Sequence, residues 1–146
     1  MTAAILSAYP SGIISTASAS LYMLSDYAGI EVPCFLLLNM SDVAKGQGKD
    51  INAKAMEDKL GIPVVLFSAP EVKKYDPFYN ALERAVSEKT VLSTDSLEEK
   101  YNSIPEYTEI KSIIGDIKDG NRTGMWLAVK ALEGDLPVTA KIKAEL

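Results

Sequence analysis

Short apolar runs alternate with segments of helical periodicity in the first part of the chain. The apolar runs are residues 3–9, 32–38 and 63–67. Continuous runs of this kind are typical of strands buried on both faces of a parallel sheet. Apolar residues recur at helical spacing in the segments that follow each run, residues 15–28, 50–60 and 76–88. The pattern therefore predicts strand–helix repeats, which fold as a parallel sheet with right-handed crossovers.

Capping residues mark the ends of these predicted helices. Gly29 follows the first helix, where a glycine commonly ends a helix because it tolerates a left-handed backbone. Asp50 is the predicted N-cap of the second helix. Asp76 followed by Pro77 predicts the start of the third helix. The buried face of that helix is expected to contain Phe78, Leu82 and Val86.

The pattern changes after Thr90, where only helical signals follow. Overlapping capping boxes begin at Asp95 or Ser96, with a glutamate three residues later in each case. Two apolar stripes at helical spacing come next and consist of Ile110, Ile113, Ile114 and Ile117, and of Met125, Trp126, Val129 and Leu132. We therefore predict an α/β domain at residues 1–90 and a small all-helical domain at residues 91–146, with Trp126 in the core.

Composition excludes several classes of protein. The chain has 146 residues, 47% of them hydrophobic, which is enough for a buried core. Its net charge of −5 argues against a nucleic-acid partner, which requires a basic surface. Histidine is absent, so imidazole bases and His-containing triads are excluded, and so is the commonest zinc ligand. Cys34 is the only cysteine and is predicted to be a core residue in a protein of a reducing compartment.

The opening of the chain carries no charge before Asp26, which raises the question of a membrane span or a secretory signal. A span requires about 20 mostly apolar residues, and serines, Pro10 and Gly12 interrupt this segment. A secretory signal requires a positively charged start, and the first cation is Lys45. The sequence therefore predicts a soluble, cytoplasmic protein.

Polar corners follow two of the predicted strands. The first is Asn39-Met40-Ser41-Asp42 and the second is Ser68-Ala69. In α/β sheets, ligands bind beyond the carboxyl ends of the strands. A carboxylate at the first corner can accept hydrogen bonds from N1–H and the exocyclic amine of guanine, and a backbone N–H at the second can donate to O6. Two ordinary strand-end turns explain the same residues, and spacing alone leaves both interpretations open.

Three stretches of the chain resemble one known family. The stretch LLLNMSDVAKGQGKDINAKAMEDKLGIPVV is similar to the GTPase domain of ferrous-iron transport protein B, whose guanine-specificity motif is Asn-Met-x-Asp. SLYMLSDYAGIEVP resembles the helix and strand before that motif, and MWLAVKALEGD resembles a helix of the family's helical domain. The resemblance covers nearly the whole chain. It implies a partial P-loop-GTPase-like parallel sheet with flanking helices, followed by a helical domain.

The resemblance also implies roles for individual residues. Asp42 would hold the guanine edge, Asn39 would tie the base loop to neighbouring loops, and Met40 would lie against the base. Ser68 and Ala69 would form the second corner that contacts the base. GTP or GDP is the implied ligand, and the cytosolic face of a membrane transporter for ferrous iron is the implied setting.

The phosphate-binding parts of such a domain are missing from the sequence. A P-loop requires G-x-x-x-x-G-K-[ST], but Gly48-Lys49 follows the base motif and precedes Asp50. The stretch from Asp26 to Gly29 imitates a D-x-x-G switch, and we interpret it as a helix end. No catalytic residue, metal ligand or Mg²⁺ site can be assigned. We therefore expect weak or lost nucleotide binding and no GTPase activity by the chain alone.

These observations leave alternatives for function and partners. The first hypothesis is a guanine-binding region with a regulatory or structural role in iron(II) uptake. The alternative is a non-enzymatic interaction module that kept the fold without nucleotide, and an unrelated flavodoxin-like binding domain is a third. Because the predicted strands are apolar on both faces, we expect pairing with the missing half of the domain or with a second copy by strand exchange. The family's membrane domain is a further implied partner.

Overall fold

The structure, a computed structural model, describes residues 2–7, 24–115, 117 and 119–145, with only the backbone of residues 2–7 and of Lys74. The predicted turn at residues 10–12 and most of the predicted helix at residues 15–28 lie outside the described residues. The chain forms two compact units. We call them the sheet unit (Met1–Tyr27 and Val32–Leu92) and the helical unit (Ala28–Glu31 and Ser93–Leu146).

The sheet unit contains a parallel sheet of the order β1-β2-β3. Its strands are β1 (Thr2–Ser7), β2 (Cys34–Asn39) and β3 (Val64–Leu66). The register pairs Ser7 with Asn39 and Leu38 with Leu66, so the carboxyl ends of the strands meet at one edge. The predicted parallel sheet and its strand positions are therefore confirmed, although β3 is shorter than the apolar run that predicted it.

The central strand β2 is buried because it runs through the middle of this unit. Its four inner residues, from Phe35 to Leu38, are all buried. Phe35 also contacts Phe78 edge-to-face, with ring centroids 5.7 Å apart. Cys34, at the start of β2, is only half-buried, so it is less buried than the predicted core cysteine. Burial still raises the pKa of its thiol, although a backbone hydrogen bond with Leu92 acts in the opposite direction.

Two helices of the sheet unit lie between β2 and β3, and a third follows β3. They are α1 (Ser41–Gly46), α2 (Ala53–Leu60) and α3 (Tyr75–Ser87), and a 3₁₀ turn at Val72–Lys74 precedes α3. The sequence predicted a polar loop where α1 lies. Its pattern there is too short and too polar for helical periodicity to be visible.

Two further details of these helices differ from prediction. The N-cap of α2 is Asn52, whose Oδ1 accepts a hydrogen bond from Ala55 N–H at 2.9 Å, and Asp50 lies before the helix. On α3 the buried residues are Ala81 and Ala85, while Val86 is 50% exposed. Phe78 and Leu82 of the predicted face are partly buried against the same core, so the prediction is wrong for Val86 alone.

Glu57 covers the outer edge of β3. One of its carboxylate oxygens accepts the Val64 N–H at 3.2 Å, and the other accepts from the Arg84 guanidinium at 2.8 Å. Burial disfavours the charged form, but these hydrogen bonds outweigh it, so the pKa of Glu57 lies below its ordinary value. Since open strand edges pair with other chains, this interaction protects one side of the sheet.

The helical unit packs its helices around one core. The helices are α4 (Asp95–Tyr101), α5 (Pro105–Ile114), α6 (Gly124–Leu132) and α7 (Leu136–Glu145). The core consists of Tyr107, Ile114, Met125, Leu127, Ala128, Val129 and Ile142. Among the described residues of this unit, no strand occurs, and only isolated bridges join Arg122 to Ile30 and Asp119.

Two predictions for the helical unit need correction. Ile113 is 50% exposed, so the buried side of α5 contains Ile114 and Tyr107 instead. Trp126 is only partly buried and packs against the core, with the Arg122 guanidinium 4.8 Å from its ring centroid. Helix α7 was not identified individually within the helical domain predicted at residues 91–146, and its Ile142 completes the core.

A short segment ahead of β2 belongs to the helical unit. Gly29 C=O accepts the Thr123 N–H at 2.8 Å, and Glu31 N–H donates to Asn121 C=O at 2.6 Å. Gly29 has φ +84°, as a residue after a helix end often does. The close contact with Thr123 explains why a glycine is needed here, beyond ending the preceding helix.

None of the helices in the described part of the chain combines the length and the hydropathy needed to cross a bilayer.

Candidate functional site

The two predicted corners meet at the carboxyl edge of the sheet. Phe67 joins them, because its N–H donates to Leu38 C=O at 2.8 Å and its C=O accepts the Ser41 N–H at 3.0 Å. Asn39 ends β2, and Ser68 follows Phe67 at the end of β3. The structure therefore places Asn39, Met40 and Ser68 on neighbouring strand ends, as their positions in the sequence suggested.

Met40 has an unusual backbone conformation at this edge. Its φ of 61° lies in the left-handed region, which is uncommon for a residue other than glycine. Met40 is the N-cap of α1, and its C=O accepts the Ala44 N–H at 3.2 Å. This conformation turns the chain sharply from β2 into α1 and places Asp42 in the first turn of that helix. Backbone strain of this kind is frequent at functional sites.

Buried polar atoms without partners collect at the same edge. They are Asn39 Oδ1, Ser41 Oγ and Ser68 Oγ, and no described residue bonds to any of them. Ser68 is fully buried. Because a buried polar atom without a hydrogen bond costs free energy, a cluster of them indicates a place where another group belongs.

Asp42 and Ala69 are exposed beside this cluster. None of the described residues donates to the Asp42 carboxylate or accepts the Ala69 N–H. A cavity of about 260 Å³ borders Asp42 and is lined by Ser41, Asp42, Ala44, Lys45, Lys49, Asp50, Ile51, Leu66 and Glu71. It lies on the α1 side of the edge, and Ala69 is not among its described lining residues. The Asp42 carboxylate can therefore accept hydrogen bonds from a ligand, and the Ala69 N–H can donate one.

Tyr75 and Phe67 are site residues that the sequence did not indicate. The Tyr75 hydroxyl donates to Ala69 C=O at 3.3 Å, and its ring meets the Phe67 ring edge-to-face at 5.3 Å. A tyrosine just before an Asp-Pro helix start carries no periodic signal. The contact between Tyr75 and Ala69 depends on the turn that follows Ser68, and this turn is seen only in the structure.

The Gly48-Lys49 pair does not form a phosphate loop. The N–H groups of Gln47, Gly48 and Lys49 donate to carbonyls of α1, to Val43, Lys45 and Ala44 at 3.1, 3.0 and 3.0 Å respectively. A phosphate cradle requires free N–H groups at the start of a helix, and these groups close the end of one. The described residues also contain no group of three His, Cys, Asp or Glu side chains suited to a metal ion.

A comparison with known protein families shows what this chain is related to. The family model described as ferrous iron transport protein B matches residues 13–82, which include the Asn39–Asp42 corner and both flanking strands. This part of the chain is similar to ferrous iron transport protein B. This confirms the resemblance seen in the sequence, together with the partial P-loop-GTPase-like fold.

Solved structures of this family have the same fold. The cytosolic domain of the T. maritima FeoB iron transporter in its GMPPNP form is 25% identical, with a TM-score of 0.71 over 97% of this chain and 54% of that chain. Its GDP form I is 26% identical, with a TM-score of 0.69 over 96% and 52%. The mGMPPNP-bound NFeoB of S. thermophilus is 28% identical, with a TM-score of 0.61 over 82% and 44%.

The chain spans about half the length of these solved relatives. No curated protein matches it.

Proposed function

We propose that the sheet unit recognises the guanine base through the two corners at its carboxyl edge, as part of a ferrous iron transporter's cytosolic region. The observation that carries this proposal is the cluster of Asn39 Oδ1, Ser41 Oγ and Ser68 Oγ, which are buried and have no partner among the described residues. Relatives crystallised with GDP or GMPPNP support the choice of ligand. Residues 1–90 would then correspond to part of a G domain and residues 91–146 to its helical domain, on the cytosolic face of the membrane.

Each corner has a distinct task in this proposal. The Asp42 carboxylate accepts hydrogen bonds from guanine N1–H and the 2-amino group, and the Ala69 N–H donates to O6. Asn39 holds the loops around the base, and Met40 lies against it. Adenine carries an amine at C6, which would face the Ala69 donor, so it is discriminated against. The role of the region is structural or regulatory for iron(II) uptake, and an interaction module without nucleotide is the alternative.

The phosphates of the nucleotide are expected to add nothing to its affinity, because no phosphate loop is found in the described residues. Two or three hydrogen bonds are each worth about 1–3 kcal/mol, and the cost of association, at least several kcal/mol, cancels much of this gain. About −4 kcal/mol then remains, a dissociation constant near 1 mM. Chemical-shift titration of the Asn39 and Asp42 amides should give similar constants for GTP, GDP and GMP, and a weaker one for AMP.

Two results of that titration would contradict the proposal. Micromolar affinity for GTP but not for GMP would reveal a phosphate site elsewhere in the chain. The absence of shifts at several millimolar GMP would leave the corner as a turn and favour the interaction module. No hydrolysis of GTP above the buffer background is expected, because no Mg²⁺ site or P-loop lysine is assigned.

A change at Asp42 tests the base contact directly. Asp42→Asn replaces an acceptor by a donor, so it should weaken GMP binding by about tenfold and create affinity for xanthosine monophosphate, whose C2 oxygen accepts a hydrogen bond. Asp50→Asn is the matched control, since Asp50 is exposed, borders the same cavity and carries the same charge. Equal loss in both variants would indicate a general charge effect instead of base recognition.

We further propose that the free edge of β1 pairs with another strand, from a longer polypeptide or from a second copy. In the described part of the sheet, β1 pairs with β2 alone. An open edge of a parallel sheet is a template for such pairing. Light scattering should give a mass above one chain at micromolar concentration, and a mass of one chain throughout would exclude the second copy.

A further inference from the structure

We propose that Tyr75 is a positioning residue for base recognition, because its hydroxyl holds the Ala69 carbonyl, which lies on the peptide next to the one whose N–H is the donor for guanine O6. This inference rests on the proposed guanine site. The contact is a hydrogen bond of 3.3 Å from Tyr75 Oη to Ala69 C=O, across six residues. The 3₁₀ turn at Val72–Lys74 returns the chain, so that α3 begins with the Tyr75 side chain beside the corner.

Two peptide planes meet at Ala69, and the Ala69 N–H lies in the first of them. The first plane contains the Ser68 C=O and the Ala69 N–H, and Glu71 N–H donates to that carbonyl at 3.0 Å. Because a trans peptide directs its C=O and N–H to opposite sides, this bond turns the Ala69 N–H away from the turn. The first plane is therefore fixed within the backbone.

The second plane joins Ala69 to Pro70 and has only one group to hold it. Pro70 has no N–H, so the Ala69 carbonyl is the sole polar backbone group of that plane. Ala69 is exposed, so packing of its methyl group does not restrain it either. Among the described residues, Tyr75 is the partner of this carbonyl. Its hydroxyl therefore completes the set of bonds that hold the backbone on both sides of Ala69.

The Tyr75 ring is itself held by the site. It packs edge-to-face on Phe67 with ring centroids 5.3 Å apart, and Phe67 makes the backbone bonds that join both corners. Tyr75 is 36% exposed, whereas Tyr79, one turn further along α3, is 58% exposed and contacts Phe78. Tyr75 is thus placed to act on the second corner, and Tyr79 is a natural control of the same residue type.

The test compares Tyr75→Phe with Tyr79→Phe, using three ligands in chemical-shift titrations. GMP and 6-thio-GMP differ in the atom at C6, so their affinity ratio reports the contact of the Ala69 N–H. GMP and IMP differ in the 2-amino group, so their ratio reports the Asp42 contact. Tyr75→Phe should weaken GMP binding about three- to tenfold and bring the GMP/6-thio-GMP ratio towards one. The GMP/IMP ratio should stay unchanged, and Tyr79→Phe should change neither ratio.

Other outcomes overturn the inference. Unchanged GMP affinity in Tyr75→Phe would mean that Tyr75 has no specific effect on the O6 contact. An equal fall in the GMP/6-thio-GMP and GMP/IMP affinity ratios would mean the same. A second measurement without ligand separates the two proposals: amide hydrogen exchange of Glu71, whose N–H donates to the Ser68 carbonyl in the same turn, should be faster in Tyr75→Phe than in Tyr79→Phe. Equal exchange in both variants overturns the role of Tyr75, whereas absence of GMP binding by the unmodified protein overturns the guanine site.

Discussion

Ile114→Ala is expected to lower the free energy of unfolding of the helical unit by about 2–5 kcal/mol, and Ile113→Ala by less than about 1 kcal/mol. The two isoleucines are neighbours on α5, but Ile114 is 1% exposed and Ile113 is 50% exposed. Truncation of the buried side chain removes its apolar contacts and leaves a cavity. Both variants gain the same helix propensity from alanine, so this contribution cancels in their difference.

Urea unfolding followed by the fluorescence of Trp126 measures this pair of variants. Trp126 is the single tryptophan of the chain and packs against the core of the helical unit, so its signal reports that unit. The midpoint should fall for Ile114→Ala without a change in the slope of the transition. Equal effects would place both isoleucines in similar surroundings, and a larger effect of Ile113→Ala would restore the face predicted from the sequence.

Gly29→Ala is expected to destabilise the protein by about 2–4 kcal/mol. A residue with a side chain costs about 1–2 kcal/mol in the left-handed region, where Gly29 has φ +84°. The added methyl group would also lie 2.6 Å from Thr123 Oγ1 and 3.0 Å from Trp126 Cβ. Thr123 Oγ1 accepts the Trp126 N–H and caps α6, so its displacement adds the loss of a cap.

Gly134→Ala is the matched control for this substitution. Gly134 has φ +81°, close to that of Gly29, but a methyl group there would meet no atom within 4 Å. It should therefore cost only the conformational part, about 1–2 kcal/mol. Thermal unfolding followed by circular dichroism suits both variants, because Gly29 lies next to the fluorophore. Equal destabilisation would mean that the segment Ala28–Glu31 moves away from Thr123 without cost.

The fold of this protein could be predicted largely from local patterns. The three apolar runs overlap β1, β2 and β3, because continuous apolar runs of strand length are typical of parallel sheets. The details that failed depend on neighbours that a single segment does not contain. Ile113 and Ile114 have the same side chain, and only the position of the helix on its core decides which one is buried. Likewise Asn52, and not Asp50, caps α2 because of where the chain turns.

The candidate site could be predicted in part for the same reason. Asn39, Met40, Asp42, Ser68 and Ala69 were predicted as site residues because ligands of parallel sheets bind beyond strand ends, a rule that needs only the strand positions. Their role at guanine stays a prediction. The hydrogen bond from Tyr75 to Ala69 was not predicted, since a contact across a turn leaves no periodic trace in the sequence.

The sequence alone determined most of the elements, the parallel arrangement and the resemblance to ferrous iron transport protein B, because periodicity and motif order are local properties of the chain. Only the tertiary structure decided how the corners are joined through Phe67, which polar atoms are left buried without partners, and how the segment Ala28–Glu31 joins the helical unit. These features arise when distant residues share a small volume. Burial and hydrogen-bond geometry then depend on the whole fold, and no single stretch of sequence contains them.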